Sequence, residues 1–149
     1  WQRGEATITS LLSSRDLQAI TGAMTDGKAW LDRADRTLTT ATHIAADDPE
    51  SALILTYDAA RQIGTGLLAQ QGLRPTTQGG HLAVVRATVD QFNGPFTALD
   101  RLRRRRNELQ YPSFPGELID PEEVRTAIAT VHTLHDAATQ LLPALGLFA

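Results

Sequence analysis

Five arginines fall within six positions, Arg101, Arg103, Arg104, Arg105 and Arg106, with Asn107, Glu108 and Tyr111 just beyond them. A guanidinium stays charged at physiological pH and offers a rigid fork of N–H donors that fits carboxylate and phosphate. Most charge runs only decorate a solvated helix face. The spacing here argues otherwise, because Leu99, Leu102, Arg106 and Leu109 step by three, four and three, which puts Arg106 on the apolar stripe of one helix. A cation in that place needs an anionic or carbonyl partner, or must face a cleft or a subunit boundary. Arg104, Asn107 and Tyr111 make a second line on an adjacent face. A focal anion site is the chemistry this cluster can support.

The other candidates carry less. His132 and His135 lie three apart with only Asp136 nearby, whereas a metal needs three or four converging ligands, so both read as structural or surface residues and no metal is expected. His43 reads as a solvated residue. His81 follows Gly79 and Gly80 and is expected to cap or orient a loop. That glycine pair is too short to cradle phosphates, and no strand precedes it. Tyr57 reads as a core residue, while Arg61, one turn further on, is expected to line the same cleft as the arginine helix. No Ser/His/Asp arrangement stands out, and no cofactor is expected.

Composition narrows the setting. A net charge of −3 excludes a protein that coats nucleic acid by bulk electrostatics, so any contact with RNA or DNA must be focal. The absence of cysteine excludes disulfides and thiolate metal sites and makes a reducing cytoplasm the default expectation. No apolar run reaches the ~20 residues of a membrane span. The N-terminus lacks the layout of a signal peptide, and Trp1 is set aside as a remnant. Few aromatics and much Ala and Leu favour packed helices over a β-sandwich.

The elements that must position the cluster follow from periodicity and caps. Residues 1–13 read as an N-terminal extension and 14–149 as one helical domain, an all-α antiparallel bundle of five to six helices. Leu17, Ile20 and Met24 predict a short helix from Ser14 to about Met24. A second helix is predicted from Asp26 to about Ala46 on a stripe of Trp30/Leu31, Ala34, Leu38, Ala41 and Ala45. Asp48-Pro49-Glu50 starts a third, which buries Leu53, Tyr57, Ala60, Gly64 and Leu67/Leu68 and stops at Gly72. Gly64 and Gly66 each cost about 1 kcal/mol of helix propensity, which close packing or a bend must offset. A fourth helix is predicted from His81 to Phe92, with Leu82, Val85, Val89 and Phe92 on one side. The arginine helix is predicted from Phe96 to Tyr111, where Pro112 ends it. Asp120-Pro121-Glu122-Glu123 opens the last, whose stripe runs from Val124 to Leu141.

Two stretches together resemble the HEPN family, small helical bundles whose hallmark is Arg, a short spacer, then His at the end of a late helix. Arg106-Asn107-Glu108-Leu109-Gln110-Tyr111 matches in place and spacing, with Tyr where the His belongs, and Arg104 and Arg105 also satisfy the spacing. Tyr57-Asp58-Ala59-Ala60-Arg61, Leu67-Leu68, Gly72-Leu73-Arg74-Pro75-Thr76-Thr77 and Gly80-His81 resemble the segment in which an aromatic, Ala-rich helix ends before the next. The resemblance implies a homodimer in which two such motifs meet across a cleft, acting on RNA without metal through the neighbouring 2′-OH. It implies that Arg106, or Arg104, binds the scissile phosphate and that Asn107 orients a partner. Arg61, Arg101, Arg103, Arg104 and Arg105 would bind RNA around it. Tyr111 would stand at the acid–base position, where a phenol with a pKa near 10 is a poor base but can donate a proton. The expected function is a HEPN-like RNA- or nucleotide-binding protein of a toxin–antitoxin or defence system with a degenerate motif. An active endoribonuclease toxin is the alternative. So is a non-catalytic subunit paired with a cognate antitoxin, a small nucleotidyltransferase or another protein.

Overall fold

Three aspartates start the three long helices in the same way. The Asp26, Asp48 and Asp120 carboxylates accept from the amides of Ala29, Ser51 and Glu122 at 3.0, 3.1 and 2.9 Å. Pro49 and Pro121 then occupy the first turn, where no donor is needed. The Ser51 hydrogen bonds hold the Asp48 carboxyl below its ordinary range. The computed structural model describes residues 1–148, and among them the chain forms six α-helices. These are α1 (Glu5–Ser13), α2 (Gly27–Ile44), α3 (Pro49–Gln70), α4 (Gly80–Phe92), α5 (Ala98–Gln110) and α6 (Pro121–Leu141). Two short strands, β1 (Leu17–Ala19) and β2 (Leu73–Pro75), pair antiparallel with Leu17 opposite Pro75.

The protein is an all-α bundle built around α3, which packs against α2, α4, α5 and α6. The main core joins α2, α3, α5 and α6 through residues such as Leu38, Tyr57, Ile63, Leu99, Val131 and Leu134. A second cluster joins α1, both strands, α4 and the end of α3 through Ile8, Leu11, Leu17, Leu68, Leu73 and Val84. Small residues set the helix separations. A Cβ on Gly66 would stand 2.8 Å from Trp30 Cβ and 3.0 Å from the Gly27 carbonyl, and one on Gly64 would stand 2.9 Å from both Thr88 Oγ1 and Val84 Cγ1. Close packing is therefore what offsets the propensity cost of the two glycines. Gly72 closes α3 at φ +74°, a conformation that favours glycine. Beside it, Gln71 and Gln91 are fully buried and exchange two amide hydrogen bonds of 2.7 and 3.0 Å, tying the end of α3 to that of α4.

Several expectations need correction. No α-helix spans Ser14 to Met24. Arg15 turns the chain at φ +64°, after which come β1 and a 3-10 turn at Gly22–Thr25. Leu17 and Ile20 are buried as expected, but Met24 is half exposed. An apolar spacing of three is met here by a strand running into a turn, and β1 gains its hydrogen bonds from β2 rather than from itself. Residues 1–13, set apart as an extension, contain α1, and its Ile8 and Leu11 lie in the core. Trp1, set aside, donates from Nε1 to the Gln91 carbonyl at 2.9 Å and meets the Phe92 ring edge-on. The arginine helix begins at Ala98, after a 3-10 turn over Gly94–Thr97. Leu82 faces outward at 49% exposure, so the buried side of α4 is carried by Ala83, Val84, Ala87 and Thr88 together with Val85. Ala149 lies outside the described residues.

Candidate anion site

Helix α5 distributes its arginines unequally. Asp100 holds two of them, Arg103 at 3.0 Å and Arg104 at 2.9 Å. Arg105 is used on every side. Its Nε and a terminal nitrogen donate to the Glu123 carboxylate of α6 at 2.6 and 3.3 Å, and the other terminal nitrogen donates to Glu108 at 3.0 Å. These bonds push the Arg105 pKa up, the Glu123 hydrogen bond most strongly. Arg101 is exposed and makes no ion pair among the described residues. With Arg105 and Leu102 it borders a groove of about 390 Å³ whose far wall is Asp120, Glu122 and Thr126.

Arg106 stands where its spacing put it, half-buried between Leu102 and Leu109. It donates to the Gln110 side-chain oxygen and meets no carboxylate. The demand for a carbonyl partner is thus met only by a neighbour one turn away on the same helix. Asn107 and Tyr111 are exposed. Tyr111 caps the end of α5, its amide donating to the Asn107 carbonyl at 3.0 Å, and its side chain is 80% exposed. The line of Arg104, Asn107 and Tyr111 therefore lies on the solvent side.

Three further polar groups, Tyr57, Arg61 and His81, come from α3 and α4. Arg61 of α3 is half-buried, and its Nε is buried without a hydrogen-bond partner. One turn earlier, Tyr57 is 1% exposed and its hydroxyl also lacks a partner. His81, in the first turn of α4, lies against Tyr57 with ring centroids 5.6 Å apart. Burial pushes the Tyr57 hydroxyl up to about 12, although Arg61, Arg103 and Arg106 pull in the opposite direction. Burial also lowers the His81 pKa, with Arg61 and Arg106 adding to the effect and Asp58 opposing it. His81 therefore packs on Tyr57 and lies in the field of Arg61 and Arg106, beyond the loop-orienting part expected of it. It was the functional candidate the sequence underrated. The available signal was its place one helix start after Arg61, but nothing local says that two helices bring these residues together.

His135 is partly buried and its Nε2 lies 3.0 Å from the Leu31 carbonyl, which gives it a structural partner. Among the described residues no three metal-ligating side chains converge. No helix among them is long and apolar enough to cross a membrane. Compared with known proteins, the chain matches no family model, no curated protein and no solved structure.

Proposed function

We propose that this helical bundle is a HEPN-like RNA- or nucleotide-binding module of a toxin–antitoxin or defence system. It would act through the arginine face of α5 at a homodimer interface, with Tyr111 in place of the motif histidine. The observation that carries this reading is Arg106, half-buried on the apolar side of α5 with no carboxylate, together with an Arg61 on α3 whose Nε is buried and unpartnered. Desolvated guanidinium without a counter-ion is unfavourable unless an anion joins it. Phosphate is the anion whose oxygens suit that donor fork. A phenol where the motif has an imidazole is a poor general base, which supports a binding role over a catalytic one.

One observation favours the enzyme reading. His81 supplies, from α4, an imidazole close to Arg61 and Arg106 that the motif on α5 lacks. In an active endoribonuclease it would exchange a proton with the reacting oxygens while Arg106 stabilises the charged phosphorus centre.

The test is binding of a structured RNA across a salt series with EDTA present. Affinity should fall steeply with salt, because each phosphate contact releases counter-ions. Replacing Arg104 and Arg106 together by Ala should lower the logarithmic salt slope by about two. A double variant with the parent's affinity and slope would remove the arginine helix as the RNA site. Cleavage that survives EDTA and vanishes in Arg106→Ala would put the endoribonuclease reading in front.

A further inference from the structure

We infer that Tyr57, Arg61, His81 and Arg106 form a phosphate-binding pocket within a single protomer, with Tyr57 as its floor and the other three as its mouth. The reading of RNA or a nucleotide above supplies the source of the phosphate; the pocket itself rests on the geometry that follows.

Two hydrogen-bonding groups one turn apart on α3, the Tyr57 hydroxyl and Arg61 Nε, are buried without partners. The same fold pairs the buried amides of Gln71 and Gln91 with each other, and it leaves the buried hydroxyls of Thr65 and Thr88 without partners as well. An orphaned hydroxyl could be met by water, but a buried guanidinium N–H calls for an acceptor that also carries charge. The nearby charges do not cancel. Arg103 is taken by Asp100, whereas Arg61 and Arg106 have no ion pair and Asp58 is the carboxylate that opposes them. The remainder is one positive charge, rising to two if His81 takes up a proton. A phosphate group, carrying one or two negative charges, fits both states.

Shape separates phosphate from carboxylate. Two guanidiniums, a phenol and an imidazole together offer more donors than the two oxygens of a carboxylate can serve in one plane. The tetrahedral oxygens of a phosphate can accept from all four. The start of α4 adds to this, since it has no side-chain cap and its positive end lies at His81. Tyr57 is 1% exposed, and the His81 ring that lies against it and Arg61 one turn further on are both partly exposed side chains able to move aside.

The experiment titrates the chain with inorganic phosphate, and with one short oligoribonucleotide in 5′-phosphorylated and 5′-hydroxyl forms. The His81 ring resonances are followed by NMR and affinity by calorimetry. Phosphate should shift the His81 resonances, and a preference for the 5′-phosphorylated form would mark a terminal phosphate, equal affinity an internal one. Tyr57→Phe is the decisive variant. It should lower affinity about tenfold, the loss expected of a hydrogen bond to a charged group. Thermal stability should hold or rise, because the change deletes an unpartnered buried hydroxyl. Arg61→Gln should weaken binding at least as much. Unchanged affinity in folded Tyr57→Phe and Arg61→Gln proteins would overturn the pocket, as would His81 resonances indifferent to about 10 mM phosphate. If RNA binds and responds only to changes at Arg101 or Arg104, the pocket fails while the RNA reading stands. If phosphate shifts His81 but no RNA binds, the pocket stands and the RNA reading fails.

Discussion

At the scale of single residues, His81 and Tyr111 stand in environments their neighbours in the chain do not suggest. Tyr111 shares a helix with the arginines but ends in solvent, whereas His81, 25 positions before Arg106, is in their field. Tyr111→Phe should therefore change unfolding free energy by less than about 0.5 kcal/mol in urea titrations, the usual range for an exposed site. A larger loss would mean that the hydroxyl holds the end of α5. His81 carries a pH signature instead. Burial first, then Arg61 and Arg106, hold its folded pKa below the ordinary value, against a weaker pull from Asp58; Tyr57 packs on its ring. As pH falls through about 6.5, the unfolded chain takes up a proton that the folded chain refuses. Stability should then drop on going from pH 7.5 to 5.5 and level off once the folded histidine also protonates. His81→Gln should remove that part of the slope. Equal slopes in parent and variant would show that His81 titrates as it does in the unfolded chain.

At the scale of the elements, helix contact distance is set by glycines and helix orientation by ion pairs. Gly66→Ala illustrates the competition. Alanine gains about 1 kcal/mol of helix propensity, but its Cβ would press on the Trp30 side chain and the Gly27 backbone at 2.8 and 3.0 Å. Overpacking of this kind costs about 1–3 kcal/mol, and the clash involves backbone that cannot yield cheaply. The variant should unfold at lower urea than the parent; an unchanged or higher midpoint would mean that α2 and α3 separate freely. The Arg105–Glu123 pair plays the matching part between α5 and α6. It is partly exposed, so its contribution is about 1 kcal/mol at most, and its value lies in how it turns the remaining arginines.

At the scale of the whole molecule, a chain of net charge −3 concentrates five arginines on one short helix. Asp100, Glu108 and Glu123 neutralise Arg103, Arg104 and Arg105 in part, which limits self-repulsion. Two-fold pairing across α5 would set two such helices around one groove and turn a small patch into a steering field. Light scattering at micromolar concentration should give twice the mass of the 16.2 kDa chain. Opposing charge should then matter: Arg101→Glu, at an exposed arginine without an ion pair, should shift the association equilibrium if α5 faces its twin. A strict monomer would leave the arginine face to act alone.

Local rules were enough for much of this protein. Asp26, Asp48 and Asp120 announce helix starts because a cap satisfies amides within three residues of itself. The stripe of α6 and the half-buried place of Arg106 follow from a period of 3.6 alone. The close approach at Gly64 and Gly66 was one of two readings of glycines inside a long helix, a bend being the other, and the packing decided between them. Where a short apolar spacing fitted two backbones, local rules failed. Leu17 and Ile20 are buried by either a helix or a strand and turn, and the choice rests with β2, more than fifty residues away. The site divides in the same manner. The arginine cluster is a property of one helix and could be read along the chain. His81 meets Tyr57 only because Gly64 lets α4 settle against α3, and such a meeting of helices depends on the packing of both partners at once.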